Sequence, residues 1–392
     1  MIARPAPTES TRGPRTSRQA FLHWFPRLAC AVLVIINVKT ALRPAPHSRF
    51  LDLHIYRGAV RSMFAGADPY VFNIGNYPFT YPPFALLALT PTVLPLGLLE
   101  ALWMLAGFAV AAYLAILVTT HLPEQFGLDR TTKFWVAAAL LASVAVRAHL
   151  DFGQISLFVI VATFADAVGR RDRRWGGVAI GLCAAVKLTP LLFILWLLLV
   201  GRGRDAARAL ATFVACTALA WVSLPAESAY YWGTAIRQTS RVGDLTASVN
   251  QSLHGVLLRS GLAGRTELVV WLIGAAAVGG YALVRTRALH RGGHIAESAA
   301  LAGCASLVVS PVTWAHHETW VLLAAVFLVT TGRRGALVAG LAVLVLGSVP
   351  LSDFADRVGG LHWLFDNSRA LVAIALCLFA FRARDAPARA GA

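Results

Sequence analysis

Charge is scarce in this chain. Asp, Glu, Lys and Arg make up 14% of its 392 residues, against about 25% in a soluble domain. With a mean hydropathy of +0.65 and many apolar runs near the roughly 20 residues that cross a bilayer, the deficit excludes an ordinary soluble globular protein. Acid is the scarcer sign, 19 residues against 35 basic ones. The chain has no P-loop, no dinucleotide fingerprint, no nucleophile elbow and no room for a soluble nucleotide-binding domain. The five cysteines (Cys30, Cys183, Cys216, Cys304, Cys377) all fall within apolar runs without metal-ligand spacing. They read as small packing residues rather than disulfides. No acidic cluster argues for a metal, and no internal repeat is evident.

What is present is a polytopic membrane pattern with two alternating kinds of connection. One kind is basic and plain: Arg170 to Arg174, Arg202 to Arg208, Arg285 to Arg291, Arg333-Arg334 and Arg382 to Arg384. The other holds carboxylates, amides, histidines and aromatics: Asp52 with His54 and Tyr56, Asp151 with Gln154, Asn250-Gln251, and Ser310 to His317. Loops rich in Lys and Arg stay in the cytoplasm, so the second kind collects on the outer face. The net charge of +16 then meets anionic lipid rather than nucleic acid.

This orientation gives one path. Residues 1–19 form a disordered cytoplasmic tail, 20–382 the membrane domain, and 383–392 a second cytoplasmic tail. The first run, about 20–42, is long and ends in no small-x-small cleavage site, so it reads as a span rather than a removed signal. A long outer segment follows. The stretch from Tyr81 to Leu96, with prolines at 82, 83, 91 and 95, reads as re-entrant or interfacial, because broken backbone is tolerated at membrane depth only inside protein. Spans are predicted over about 98–119, 133–149, 155–169, 205–224, 266–285, 297–313, 316–331, 335–351 and 367–382. The run 176–200 is predicted to be two short helices meeting at Lys187-Leu188-Thr189-Pro190. The sum is roughly twelve helical segments with both termini inside.

Asp52 lies beside the first span, where a carboxylate is a candidate general base. Lys187 is an ammonium inside an apolar run, a position that suits holding a phosphate. His316 and His317 point in different directions on a helix, which favours one of them contacting phosphate over a shared metal. Gln154, Asn250 and Gln251 are uncharged groups suited to sugar hydroxyls. His54 and Tyr81 are further candidates for sugar or acceptor contact. Gly66-Ala67-Asp68-Pro69-Tyr70 reads as a turn. Asp353, Asp356 and Asp366 read as solvated or capping groups.

Together Asp52, Gly66 to Tyr70, Tyr81-Pro82-Pro83, Gly153-Gln154, Lys187 to Pro190, Asn250-Gln251-Ser252 and Ser310 to His317 resemble glycosyltransferase family 87. This is a GT-C type family of polyprenol-phosphate-sugar-dependent transferases common in mycobacteria. The resemblance implies an all-α GT-C bundle with interfacial helices in the first outer loop. It also implies transfer of mannose from polyprenyl-phosphate-mannose to a phosphatidylinositol mannoside, forming an α-1,2 bond with inversion at the outer face of the plasma membrane. Asp52 would be the base; the lipid-linked sugar is the substrate, and no further cofactor or metal is implied. Lipomannan branching or arabinofuranosyl transfer are the neighbouring activities. A transporter or flippase would show repeated halves and midplane binding groups, and a scaffold would not explain a carboxylate, a lysine and histidines on one side.

Overall fold

The computed structural model describes residues 17–42, 49–124, 130–169, 174–351, 354, 357 and 359–381. Arg170 to Arg173, Asp353, Asp356, the arginines at 382 and 384, and both predicted tails fall outside the described residues, except that Ser17 already begins the first helix. Apart from one two-stranded hairpin, Asn73–Ile74 with Tyr77–Pro78, the regular elements described are helical.

The long helices are α1 (Ser17–Ala41), α4 (Leu96–Thr119), α10 (Gly203–Ser223) and α13 (Gly264–Arg291). Each is long and apolar enough to cross a membrane. Their exposed side chains include Leu105, Val222, Ile273 and Val284, the last three between 65% and 83% exposed. Soluble proteins avoid such surface; here it is the face that lipid covers. At the centre stand α14 (Ile295–Val309) and α15 (Thr319–Val329). Every residue from Ala296 to Val308 and from Thr319 to Leu328 is buried, as expected for helices that are apolar all round.

The remaining helices of the bundle are α5 (Arg130–Ala142), α6 (Val144–Phe152), α7 (Ser156–Ala167), α8 (Val178–Val186), α9 (Leu191–Leu199) and α16 (Arg334–Leu346). Four helices pass as spans by length and composition, and up to six if each of two bent pairs counts as one. The predicted span 133–149 is one of those pairs. It breaks at Ser143, whose backbone is extended and whose hydroxyl accepts the Val146 N–H, and α5 and α6 meet at 64°. The predicted span 367–382 is likewise α18 (Ser368–Phe379), bent by 55° from the helical stretch 359–366, whose second part is α17 (His362–Asp366).

The break within 176–200 falls where proline predicts it. Pro190 has no N–H and disfavours helix in the residue before it. Helix α8 stops at Val186, Lys187 is extended, and α9 starts at Leu191. The other end of α8 is fixed by Asp166, whose carboxylate accepts the Gly177 and Ile180 N–H groups.

The first long connection is not an open loop. It contains α2 (Leu51–Phe64) and α3 (Pro83–Ala88). Leu53, Ile55, Tyr56, Ala59 and Val60 of α2 are buried, while Arg61 and Phe64 are exposed. The short helices α11 (Pro225–Gly233) and α12 (Leu253–Arg259) follow later in the chain.

The basic connections that begin at Arg202 and at Arg285 meet at one end. Gly201, Arg287 and Arg291 line a common groove, and Arg285 donates to the Cys377 and Ala380 carbonyls. Arg202 and Asp205 are buried there, 2.6 Å apart, and Arg208 binds the other Asp205 oxygen at 2.6 Å. The Arg202 to Arg208 run, plain in sequence, is therefore a structural clamp. Removing one partner of a buried ion pair costs about 3–5 kcal/mol. Asp205→Ala is expected to destabilise the protein by that amount, read as a lower thermal midpoint in detergent, whereas Arg204→Ala, an exposed neighbour, should leave the midpoint within a degree or two.

Candidate active site

The site begins with a close backbone approach. Helix α6 ends at Gly153, which adopts a left-handed conformation at φ 65°. A Cβ there would lie 2.6 Å from the Leu53 Cβ, so α2 rests directly on that glycine. Phe50, the residue before α2, is also left-handed and donates its N–H to the Asp151 carbonyl at 2.8 Å. These contacts place Asp52, in the first turn of α2, against Gln154, the residue after Gly153. A carboxylate in a first turn is favoured by the helix dipole.

Gln154 is buried and organises its neighbours. Its amide donates to the Asp52 carboxylate. Its oxygen accepts from Tyr56 at 3.0 Å, Tyr81 at 3.2 Å and Ser156 at 3.3 Å. Lys187 donates to Ser156 at 2.8 Å and to the Tyr81 hydroxyl at 3.4 Å. On its other side Lys187 Nζ lies 2.7 Å from His317 Nε2. A continuous polar chain therefore runs from Asp52 through Gln154, the two tyrosines and Ser156 to Lys187 and His317.

The orientation of His317 is set by backbone. Its Nδ1 accepts the Trp314 N–H at 3.1 Å, which leaves the proton of the neutral ring on Nε2. At 2.7 Å that nitrogen and Lys187 Nζ are hydrogen-bonded to each other, one donating and the other accepting. An anionic oxygen entering here would have to displace this contact before the two N–H groups could turn to it. The small cavity beside the pair is lined by Ser156, Lys187, Thr189, Ser310, Thr313 and His317 among others, with about 20 Å³ that a water centre can reach. That is room for one or two waters.

Burial pushes the Asp52 carboxyl up to about 6, against the lowering effects of the Gln154 hydrogen bond and of Lys187. The carboxylate form is therefore present above pH 6, with an affinity for protons suited to general-base work near neutrality. Among the described residues no group of three or more His, Cys, Asp or Glu side chains is placed to hold a metal ion.

The structure brings together Asp52, Tyr81, Gln154, Lys187 and His317, five of the residues singled out from sequence. His316 is adjacent and buried, its ring 4.4 Å from that of His317 and its Nε2 without a hydrogen-bond partner among the described residues. Three others are engaged elsewhere. His54 contacts Glu100 at 2.9 Å on the far side of α2. Asn250 donates to the Leu245 carbonyl and accepts the Ser252 and Thr313 N–H groups. Gln251 donates to the Ser248 and Asp366 carbonyls and accepts the Ala370 N–H. Both amides tie loops together, which is the chemistry they would also have used for sugar hydroxyls. Asp68 accepts the Tyr70 N–H, the turn expected at that position. Sequence reading passed over Ser156 and gave Tyr56 no role. The signal for Tyr56 was its spacing, one helical turn after Asp52; Ser156 carried none.

The approach of α2 to Gly153 can be separated from the strain of a left-handed backbone. Gly66 is also left-handed, at φ 71°, but has open space where its Cβ would be. Gly153→Ala is expected to lower the thermal midpoint more than Gly66→Ala. It should also uncouple Asp52 from Gln154, read as a greater loss of activity than that of Gly66→Ala.

Comparison with known proteins gives one family. The sequence model of glycosyltransferase family 87 matches residues 79–311. A polyprenol-phosphate-mannose-dependent alpha-(1-2)-phosphatidylinositol mannoside mannosyltransferase of Mycolicibacterium smegmatis is 33% identical over 307 residues, 69% of this chain and 68% of the relative. The protein of the same description from Mycobacterium tuberculosis is 30% identical over 329 residues, 77% of this chain and 75% of the relative. A polyprenol-phosphate-mannose-dependent alpha-(1-2)-phosphatidylinositol pentamannoside mannosyltransferase of Mycolicibacterium smegmatis is 27% identical over 371 residues, 90% of this chain and 89% of the relative. No solved structure matches. The family match spans more than half of a chain whose helices are built to cross a membrane, and the protein belongs to glycosyltransferase family 87.

Proposed function

We propose that this protein transfers mannose from polyprenyl-phosphate-mannose to a phosphatidylinositol mannoside, forming an α-1,2 bond with inversion at the anomeric carbon. The observation that carries this reading is the polar chain from Asp52 to the Lys187–His317 pair: a carboxylate at one end, a hydrogen-bonded lysine and histidine at the other. Inversion in one displacement needs a base on the acceptor side and charge stabilisation on the leaving side. Asp52 takes the proton of the attacking hydroxyl. Lys187 and His317 hold the polyprenyl phosphate as it gains negative charge, with His316 behind them. Gln154, fixed by Tyr56, Tyr81 and Ser156, orients Asp52 and the phosphate-binding lysine relative to each other. The names of the relatives supply the sugar, the donor and the acceptor.

The proposed architecture is a GT-C bundle of about twelve helical segments, with α2 and α3 lying at the interface. The Arg-rich end faces the cytoplasm and the Asp52 end faces outward across the plasma membrane. The charge asymmetry between the two ends supports this orientation. A donor carried on a membrane lipid is what an outward-facing transferase requires, away from the nucleotide pool.

Asp52→Asn in folded protein is expected to lower transfer of radiolabelled mannose by about 10²–10⁴-fold. In the wild type, kcat/KM for the acceptor should fall about tenfold per pH unit below about pH 6, as the carboxyl becomes protonated, and level off above it. A profile flat from pH 5 to 8 would remove Asp52 from the role of base. Lys187→Ala should raise the donor KM by about tenfold or more, the worth of one charge-assisted hydrogen bond. An unchanged donor KM would make the lysine structural.

A further inference from the structure

Helix α2 has a second polar face. Asp52 and Tyr56 point to the polar chain, but Arg57 and Arg61 lie about 140° and 180° around the helix from Asp52 at 100° per residue. There, with His54, Gly58, Ser62, Phe72 and Leu96 among the lining residues, they border a groove of about 600 Å³. None of the residues lining it is acidic. Arg61 is exposed, and its side chain has no hydrogen bond or ion pair among the described residues. Arg57 uses its Nε on the Leu94 carbonyl at 3.2 Å. Glu100, which His54 contacts at 2.9 Å, is also engaged by Arg49 at 2.7 Å.

The groove lies where a candidate span begins. Leu96 lines it and is also the first residue of α4, a span whose surface is open to lipid. Phe64 and Val71 nearby are 64% and 70% exposed. Basic side chains at the depth where a lipid-facing helix begins, flanked by exposed apolar ones, meet a phosphodiester headgroup with its acyl chains below. Two arginines one helical turn apart can each give paired N–H donors to such a group.

We infer that this groove binds the phosphodiester of the glycolipid acceptor, and so anchors the acceptor while its distal sugar reaches Asp52. The inference rests on the mannosyl-transfer reading above. Arg61 lies nine residues along α2 from Asp52, about 14 Å in rise, and on the opposite side. A chain of several hexoses covers that separation; a single hexose does not. A bulk phospholipid could fill the same groove, but it would give the arginines no influence over one acceptor against another. The arginines thus measure the distance between phosphate and reacting hydroxyl, and select for acceptor length.

The test compares two acceptors with wild type and with the double variant Arg57→Gln, Arg61→Gln in nanodiscs of neutral lipid. One acceptor is a phosphatidylinositol mannoside; the other is an alkyl oligomannoside with the same terminal sugars and no phosphate. The expected result is an acceptor KM raised at least tenfold for the phospholipid, a loss at least five times greater than with the phosphate-free acceptor, and a wild-type KM that climbs with salt. Equal losses with both acceptors, recovered by adding phosphatidylglycerol, would assign the groove to bulk lipid and overturn the inference. So would an unchanged KM. Binding of radiolabelled phosphatidylinositol mannoside is measured in parallel. If wild type transfers no mannose yet binds the glycolipid, and the double variant does not bind, the groove stands and the mannosyl-transfer reading fails. No binding by either protein overturns the groove itself.

Discussion

A lysine inside an apolar run must find polar partners within the protein, and the architecture around the site follows from that constraint. The backbone breaks at Lys187, so its ammonium reaches past the helix to Ser156, Tyr81 and His317. Those three belong to separate parts of the chain: the start of α7, the proline-rich stretch before α3, and the turn after α14. Satisfying one cation therefore pulls three connections to one point. The same connections deliver Gln154 and, through it, Asp52. An unpaired charge at that depth costs several kcal/mol, so the constraint is strong enough to fix these loops rather than merely decorate them.

Small-residue contacts and buried ions share the work of positioning. Gly153 lets α2 sit on the turn after α6, and Gly181 lets α8 approach the Ala209 carbonyl of α10 so closely that a Cβ would be 2.2 Å from it. At the opposite end of α8, Asp166 and the Arg202–Asp205–Arg208 clamp hold the helix start. Helix α8 is thus pinned at both ends by polar groups, with its apolar middle in the core. A short helix with few turns of its own is marginal alone, so its ends decide where Lys187 stands.

Much of the bundle was legible because apolar run length and proline position are local properties. The break at Lys187 to Pro190 and the compact Tyr81 to Leu96 stretch follow from proline's missing N–H alone. The bend at Ser143 did not, because a serine that caps one helix and ends another looks in sequence like any polar residue within an apolar run. Asn250 and Gln251 show the same limit from the other side. An amide suits a sugar hydroxyl and a backbone carbonyl equally, and which one it meets depends on segments 63 to 119 residues away.

From sequence alone a helical membrane protein could be read, with polar connections that alternate in character and with Asp52, Lys187 and the His316–His317 pair as candidates for chemistry. These depend on composition, period and the high cost of charge in an apolar run, which act over a few residues. Packing is what joins Asp52, Gln154, Tyr81, Lys187 and His317 in one connected chain, adds Tyr56 and Ser156 to it, and engages His54, Asn250 and Gln251 elsewhere. It also separates the two faces of α2, one turned to the polar chain and one to a basic groove. Hydrogen bonds are short and directional, so membership of a site is settled by distances between segments far apart in the chain, and those exist only once the helices have packed.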